Sequence, residues 1–150
     1  LTALAVLAVS YSAALTLRVH TAAAIRETYD RHGLATVVSD DLSSMHRQGL
    51  AELDTLGRRF ERQIGQDKTF HKDFLILAHA AWLSGDPHRA AHLAGRSLEL
   101  QPYYPNALRF LAMVFEDDDP DLAARYAAAY DYVLNQATEG FRIEYPPQPE

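Results

Sequence analysis

Residues 71–105 read HKDFLILAHAAWLSGDPHRAAHLAGRSLELQPYYP, two apolar-rich runs that meet at Ser84-Gly85-Asp86-Pro87. Glycine frees the backbone at the turn, and a proline just past it suits the start of a new helix, where its missing N–H has no partner to lose. Ala78 before the turn, with Ala90 and Ala94 after it, is small enough to let two helix backbones approach closely. The segment predicts a helical hairpin.

Toward the C-terminus the pattern returns in weaker form. Leu77-Ala78 recurs as Leu111-Ala112, 34 residues later, and Gly85-Asp86-Pro87 is echoed one residue short by Asp118-Asp119-Pro120. Leu122, Ala123, Tyr126, Ala127, Tyr130, Val133 and Leu134 extend the helical spacing, but this copy lacks the turn glycine and a closing proline. The period and the turn together resemble the tetratricopeptide repeat, a helix-turn-helix unit of about 34 residues. Phe74, Leu77, Ala78 and Ala81 stand where the first helix of that family carries its packing residues. Ala90, Ala94 and Leu98 continue on the second helix, and Pro102 falls at the usual repeat end. One good and one degenerate repeat, residues 71–137, are fewer than the three that make an independent stack.

Tetratricopeptide repeats hold other proteins, so the resemblance implies a binding or assembly role. The inner surface in that family is formed by the first helix of each repeat. The register places Lys72, Leu75, His79, Trp82 and Leu83 there, followed by Asn106, Arg109, Phe110 and Met113. Trp and Arg are frequent hot-spot residues, which singles out Trp82 and Arg109. Burial of Trp82 and Phe110 against adjacent helices is the competing reading, since apolar residues at helical spacing usually belong to a core. Leu75 and His79 occupy positions where carboxylate-gripping members carry polar clamp residues, so that clamp is not reproduced here.

Ahead of the hairpin, residues 34–70 read as a connector and an amphipathic helix. The helix is expected from Asp41 to Ile64, with Ser39-Asp40-Asp41 suited to its positive N-terminal end. Leu42, Met45, Gly49, Leu53, Leu56, Phe60 and Ile64 line one face at three- and four-residue steps, with Arg47, Glu52, Asp54, Arg58, Arg59, Glu61 and Arg62 opposite. Such a helix needs a neighbour for its apolar stripe and is a candidate cap for the repeats.

Leu1 to Leu17 contains no charged side chain. A helix that crosses a bilayer needs about 20 apolar residues, with a lower limit of about 17, so this run predicts a transmembrane anchor. The competing reading is a signal-peptide core with Ala22-Ala23-Ala24 as cleavage site, but such cores run only about 7 to 15 residues. The helical pattern then continues to Gly33, a candidate C-cap, which makes residues 1–33 one anchor segment. Arg18, Arg26 and Arg31 flank one side alone, so the positive-inside rule assigns no orientation. An Ala-, Arg-, His- and Asp-rich composition suggests a bacterial chain, hence a single-pass inner-membrane location.

The formal charge of −6, with no concentration of Lys and Arg, argues against nucleic acid as a partner. Zero cysteines remove disulfides and thiolate chemistry. His88 and His92 lie one helical turn apart, yet no HExxH motif or third ligand accompanies them, so no metal is expected. Glu116 to Asp119 lacks the alternating ligands of a calcium loop and reads as a solvated turn. No nucleophile elbow or glycine-rich phosphate loop occurs, so neither an enzyme nor a bound cofactor is expected. From residue 138 the tail, with Phe141 to Tyr145 followed by Pro146 and Pro147, reads as extended.

The fold class expected is therefore all-α: a transmembrane helix followed by a tetratricopeptide-like hairpin domain. Its expected role is an assembly factor or accessory subunit whose partners are subunits of a membrane complex and the lipid bilayer. A different class stays open, the last span and repeat-bearing C-terminal part of a polytopic glycan ligase or polymerase.

Overall fold

A computed structural model describes residues 2–38, 40–63 and 67–139, with the side chains of 2–9 and 137–139 outside that description. Among the described residues six α-helices follow one another: α1 (Thr2–Arg31), α2 (Ser44–Gln63), α3 (His71–Leu83), α4 (Pro87–Leu100), α5 (Pro105–Val114) and α6 (Pro120–Glu139). Short 3-10 turns occupy Leu34–Thr36 and Lys68–Phe70, and no strand occurs among the described residues. The all-α expectation holds. The chain divides into two compact units, Leu1–Pro102 with α1 to α4 and Tyr103–Glu150 with α5 and α6.

The α3–α4 turn is built as the sequence predicts. Gly85 takes φ +78°, its N–H donates to the Trp82 carbonyl at 2.9 Å, and the Asp86 N–H donates to the Ala81 carbonyl at 3.0 Å. This paired closure satisfies carbonyls that a helix end would leave orphaned, and it needs a residue tolerant of positive φ. Asp86 then caps α4, its side chain accepting from the Arg89 N–H at 2.9 Å, with Pro87 in the first turn. Three residues of connection force α3 and α4 antiparallel. Ala78, Ala90 and Ala94 are fully buried, as close approach requires, while Leu93, Ser97 and Leu100 complete the inner face of α4 and Leu98 is only half-buried. The Ser97 hydroxyl donates to the His71 carbonyl at 2.7 Å, which ties the far end of the hairpin.

α1 and α2 form a second antiparallel pair. Thr21 meets Gln63 at 3.1 Å, Thr28 donates to Glu52 at 3.3 Å, and His32 Nδ1 lies 2.9 Å from the Met45 carbonyl. Gly33, at φ +61°, ends the first helix as expected. The start of α2 differs from expectation. Ser43, rather than the cluster ending at Asp41, accepts from the His46 N–H at 3.2 Å while the Ser43 N–H donates to His46 Nδ1 at 3.1 Å. This reciprocal cap places the first helical residue at Ser44. The buried stripe of α2 is Gly49, Leu50, Leu53, Gly57 and Phe60, whereas Met45 is exposed; Ser39 and Ile64 lie outside the described residues.

Aromatic packing joins α2 to α3. Phe60 sits edge-on to Phe70, with centroids 5.6 Å apart, and tilts against Phe74 at 5.2 Å. Burial of each such ring stabilises the unit by about 1.5–3 kcal/mol. Arg96 of α4 lies 5.7 Å from the Phe74 centroid, so all three helices converge on one side chain. Asp67 opens the Lys68–Phe70 turn by accepting from the Thr69 N–H at 3.1 Å and from its hydroxyl; these bonds hold the Asp67 carboxyl below its usual pKa.

The transmembrane expectation is corrected. Among the described residues no helix is long and apolar enough to cross a membrane. Ser10, Tyr11, Ser12 and Thr16 dilute the described part of the first half of α1, and Arg18 and His20 follow. From Thr21 onward the helix packs against protein, with Thr21, Ala22, Ile25 and Thr28 at most 5% exposed. That inner face is satisfied by α2 and α3, and the outer face carries Glu27, Asp30 and Arg31. Residues 1–9, part of the expected span, have side chains outside the described set. The single-pass location falls with the span.

In the second unit α5 and α6 pair through Ala107, Leu108, Leu111, Val114 and Ala123, all buried. Asp119 caps α6 by accepting from the Leu122 N–H at 3.0 Å, and Phe115 stacks on Tyr126 with centroids 6.1 Å apart. Glycine is absent here because the connection, residues 115–119, is longer and needs no positive φ. Of the expected α6 stripe, Tyr126, Tyr130 and Val133 are half-buried, while Ala127 and Leu134 are exposed. Helix α6 runs to Glu139, two residues beyond the expected limit; the tail from residue 140 lies outside the described residues.

Candidate protein-interaction site

The residues expected on the inner surface fall in both units. On α3, Lys72 is exposed, Leu75 and Trp82 are half-buried, and Leu83 is only 4% exposed. Leu83 therefore belongs to the core of the first unit, a correction to its expected place on a free surface. On α5, Asn106, Arg109 and Met113 are exposed and Phe110 is half-buried. Each helix thus presents a mixed cationic and apolar face by itself.

His79, expected on that surface, is engaged from inside the unit. Its Nδ1 lies 2.7 Å from the Tyr29 hydroxyl, and the two rings meet edge-to-face with centroids 5.8 Å apart. Burial raises the Tyr29 pKa to about 12, helped by the nearby Asp30 charge, and burial also holds His79 below the usual imidazole value. At neutral pH both groups are uncharged, and they share one hydrogen bond whose donor is set by the imidazole tautomer. Helix α1 therefore covers part of the α3 face that the repeat register leaves open.

Beside this contact Asp73, fully buried, receives Arg26 Nε at 2.6 Å and a terminal guanidinium nitrogen at 2.8 Å. The hydrogen bonds with Asp73 push the Arg26 pKa above its ordinary value against an opposing desolvation effect. Sequence reading takes Arg26 only as a charge flanking the expected span and does not single out Asp73. A lone acid at the head of the apolar run Phe74 to Leu77 is a signal of a buried carboxylate, but no local pattern names a partner 47 positions away.

A cleft of about 490 Å³ opens where α2, α3 and α4 diverge. Leu50, Leu53, Leu77, Ala80, Leu83 and Leu93, each no more than 6% exposed, form its apolar floor. Arg47, Asp54, Arg58, Asp86 and Arg89 stand around it. Arg89 binds Glu61 at 2.7 Å and approaches Asp54 at 3.6 Å, and Arg58 binds Asp54 at 3.0 Å. Arg47 has no ion-pair partner among the described residues. Gly57 of α2 packs against Leu77 of the floor, where an added Cβ would stand 3.1 Å from Leu77 Cδ2.

His88 and His92 are both exposed on α4, and no group of three or more His, Asp or Glu side chains converges among the described residues. Every buried side-chain nitrogen and oxygen among the described residues has a hydrogen-bond partner. No family model, curated protein or solved structure matches the chain.

Proposed function

We propose that the chain is a protein–protein interaction module of tetratricopeptide-like helical hairpins, serving as an assembly factor or accessory subunit of a protein complex. The observation that carries this reading is the recurrence of the hairpin. The helices pair in sequence order, α1 with α2, α3 with α4 and α5 with α6, and α5 begins 34 residues after α3, at Pro105 after His71. A hairpin that recurs at this interval offers repeated first helices whose outward side chains serve recognition rather than reaction. Lys72, Leu75 and Trp82 on α3, and Asn106, Arg109, Phe110 and Met113 on α5, supply the contacts.

Photo-crosslinkers placed at Lys72 and at Arg109 of the full chain, in its native cells, test the reading. Discrete polypeptide adducts, lost when Trp82→Ala is added for the first site and Met113→Ala for the second, are the expected result. Absence of any protein adduct at both sites overturns it.

A further inference from the structure

The cleft between α2, α3 and α4 has a chemistry distinct from the faces of α3 and α5. Its floor of Leu50, Leu53, Leu77, Ala80, Leu83 and Leu93 is aliphatic, and the Ser84 hydroxyl at its side already donates to the Ala80 carbonyl, so the floor favours an apolar group. Its volume of about 490 Å³ lies within the range of clefts that enclose compact ligands or anchoring side chains.

The rim selects among apolar groups by charge. Asp54 is engaged by Arg58 and Arg89, Glu61 by Arg89, and Asp86 by the first turn of α4. The acids at the mouth are thereby committed, and Arg47 is the charge left over. It shares one edge of α2 with Ala51, Asp54 and Arg58, at successive steps of four, three and four residues. Ala51 is exposed, so a second helix could approach α2 closely beside Arg47. Arg47 is the rim cation with no ion pair among the described residues, and Asp86 meets the positive end of α4 through the Arg89 N–H, so the free cation suits a single carboxylate. It does not supply the clustered positive field that an anionic surface or a nucleic acid would engage.

We propose that this cleft docks an amphipathic helix of a partner protein, an apolar side chain filling the aliphatic floor and an adjacent Asp or Glu pairing with Arg47. The proposal rests on the interaction-module reading and names the chemistry of its partner. Helix-in-groove recognition uses this combination, with anchors at three- and four-residue spacing and a flanking charge that fixes register.

The test pans a phage-displayed library of random 16-residue peptides against the full chain. Recovered peptides are then titrated by fluorescence polarisation against the wild type, Arg47→Glu, Arg47→Gln, Ala51→Trp and, as an α3-face control, Lys72→Glu. Circular dichroism melts verify that each variant folds; all four substitutions are at exposed positions. The expected peptides carry large apolar residues three or four apart beside an acid. Their Kd rises at least tenfold with Arg47→Glu and Ala51→Trp, rises less with Arg47→Gln, and is unchanged by Lys72→Glu. Changing the peptide acid to Lys restores affinity for Arg47→Glu. Peptides weakened by Lys72→Glu but indifferent to Arg47→Glu and Ala51→Trp overturn the cleft and leave the module reading standing. Failure to enrich any peptide also overturns the cleft, while the crosslinking experiment decides the module reading separately. Self-association of the chain that disappears in Arg47→Glu gives the cleft to a second copy and overturns the partner assignment.

Discussion

Arg26 grips both carboxylate oxygens of Asp73, at 2.6 and 2.8 Å, across the contact between α1 and α3. The acid is fully buried, whereas the arginine side chain is 53% exposed. This asymmetry makes the carboxylate the vulnerable partner, because it has no water to fall back on once the guanidinium is removed.

Arg26→Met is accordingly expected to lower unfolding stability by about 2 kcal/mol, below the full cost of breaking a wholly buried pair because water reaches one side of the guanidinium. The double variant Arg26→Met with Asp73→Leu should recover most of that loss. Urea midpoints of the three proteins measure both effects, and a double variant no better than the single one contradicts the account.

The Tyr29–His79 contact predicts a stability optimum bounded on both sides. His79 is held below its ordinary value near 6.5, so its contribution is present above that pH and is lost as pH falls toward the folded-state pKa. Tyr29 is raised from 10.0 to about 12, so its contribution is complete below pH 10 and is lost as pH rises toward 12. Urea unfolding across this range should show that His79→Gln flattens the acid limb and Tyr29→Phe the alkaline limb, each relative to the wild type.

Two glycines in helices should respond oppositely to alanine. A Cβ on Gly49 would lie 2.5–2.9 Å from ring and Cβ atoms of His32, whose side chain is 8% exposed and held by the Met45 carbonyl. Overpacking there costs about 1–3 kcal/mol and is expected to exceed the helix-propensity gain. Gly95 in α4 has nothing within 4 Å of an added Cβ, so Gly95→Ala should stabilise by up to about 1 kcal/mol. Thermal melts with opposite shifts in Tm are the expected readout.

Asp119→Ala removes the cap of α6 and should cost about 1 kcal/mol, expressed in the Tyr103–Glu150 unit. Hydrogen exchange read by mass spectrometry should show faster exchange in the first turn of α6, with the amides of α3 and α4 unchanged. Equal acceleration in both units would contradict the assignment.

Short-range chemistry was legible in the residues themselves. Gly33, Gly85, Pro87 and Pro120 mark helix ends in the structure because backbone conformation and the missing proline N–H act within a few positions. The hairpins at 71–100 and 105–139 follow from such punctuation plus helical spacing. The α2 stripe was legible only in part: Leu53 and Phe60 are buried as their spacing implies, yet Met45, in the first turn of the same helix and on the same spacing, is exposed.

Tertiary structure alone decided what each exposed-looking residue does. His79 has the spacing of a surface residue until Tyr29 arrives from 50 positions away, and nothing local to Asp73 names Arg26, 47 positions away, as its partner. The cleft between α2, α3 and α4 is likewise invisible in any one helix, since its floor is drawn from three. The fate of α1 shows the same limit. A lack of charge in its first half suggested lipid, yet among the described residues no helix is long and apolar enough to cross a membrane, and the second half packs on protein through Thr21, Ile25 and Thr28. Periodicity states which side of a helix must be covered, but what covers it depends on packing between segments far apart in the chain, which no local pattern encodes.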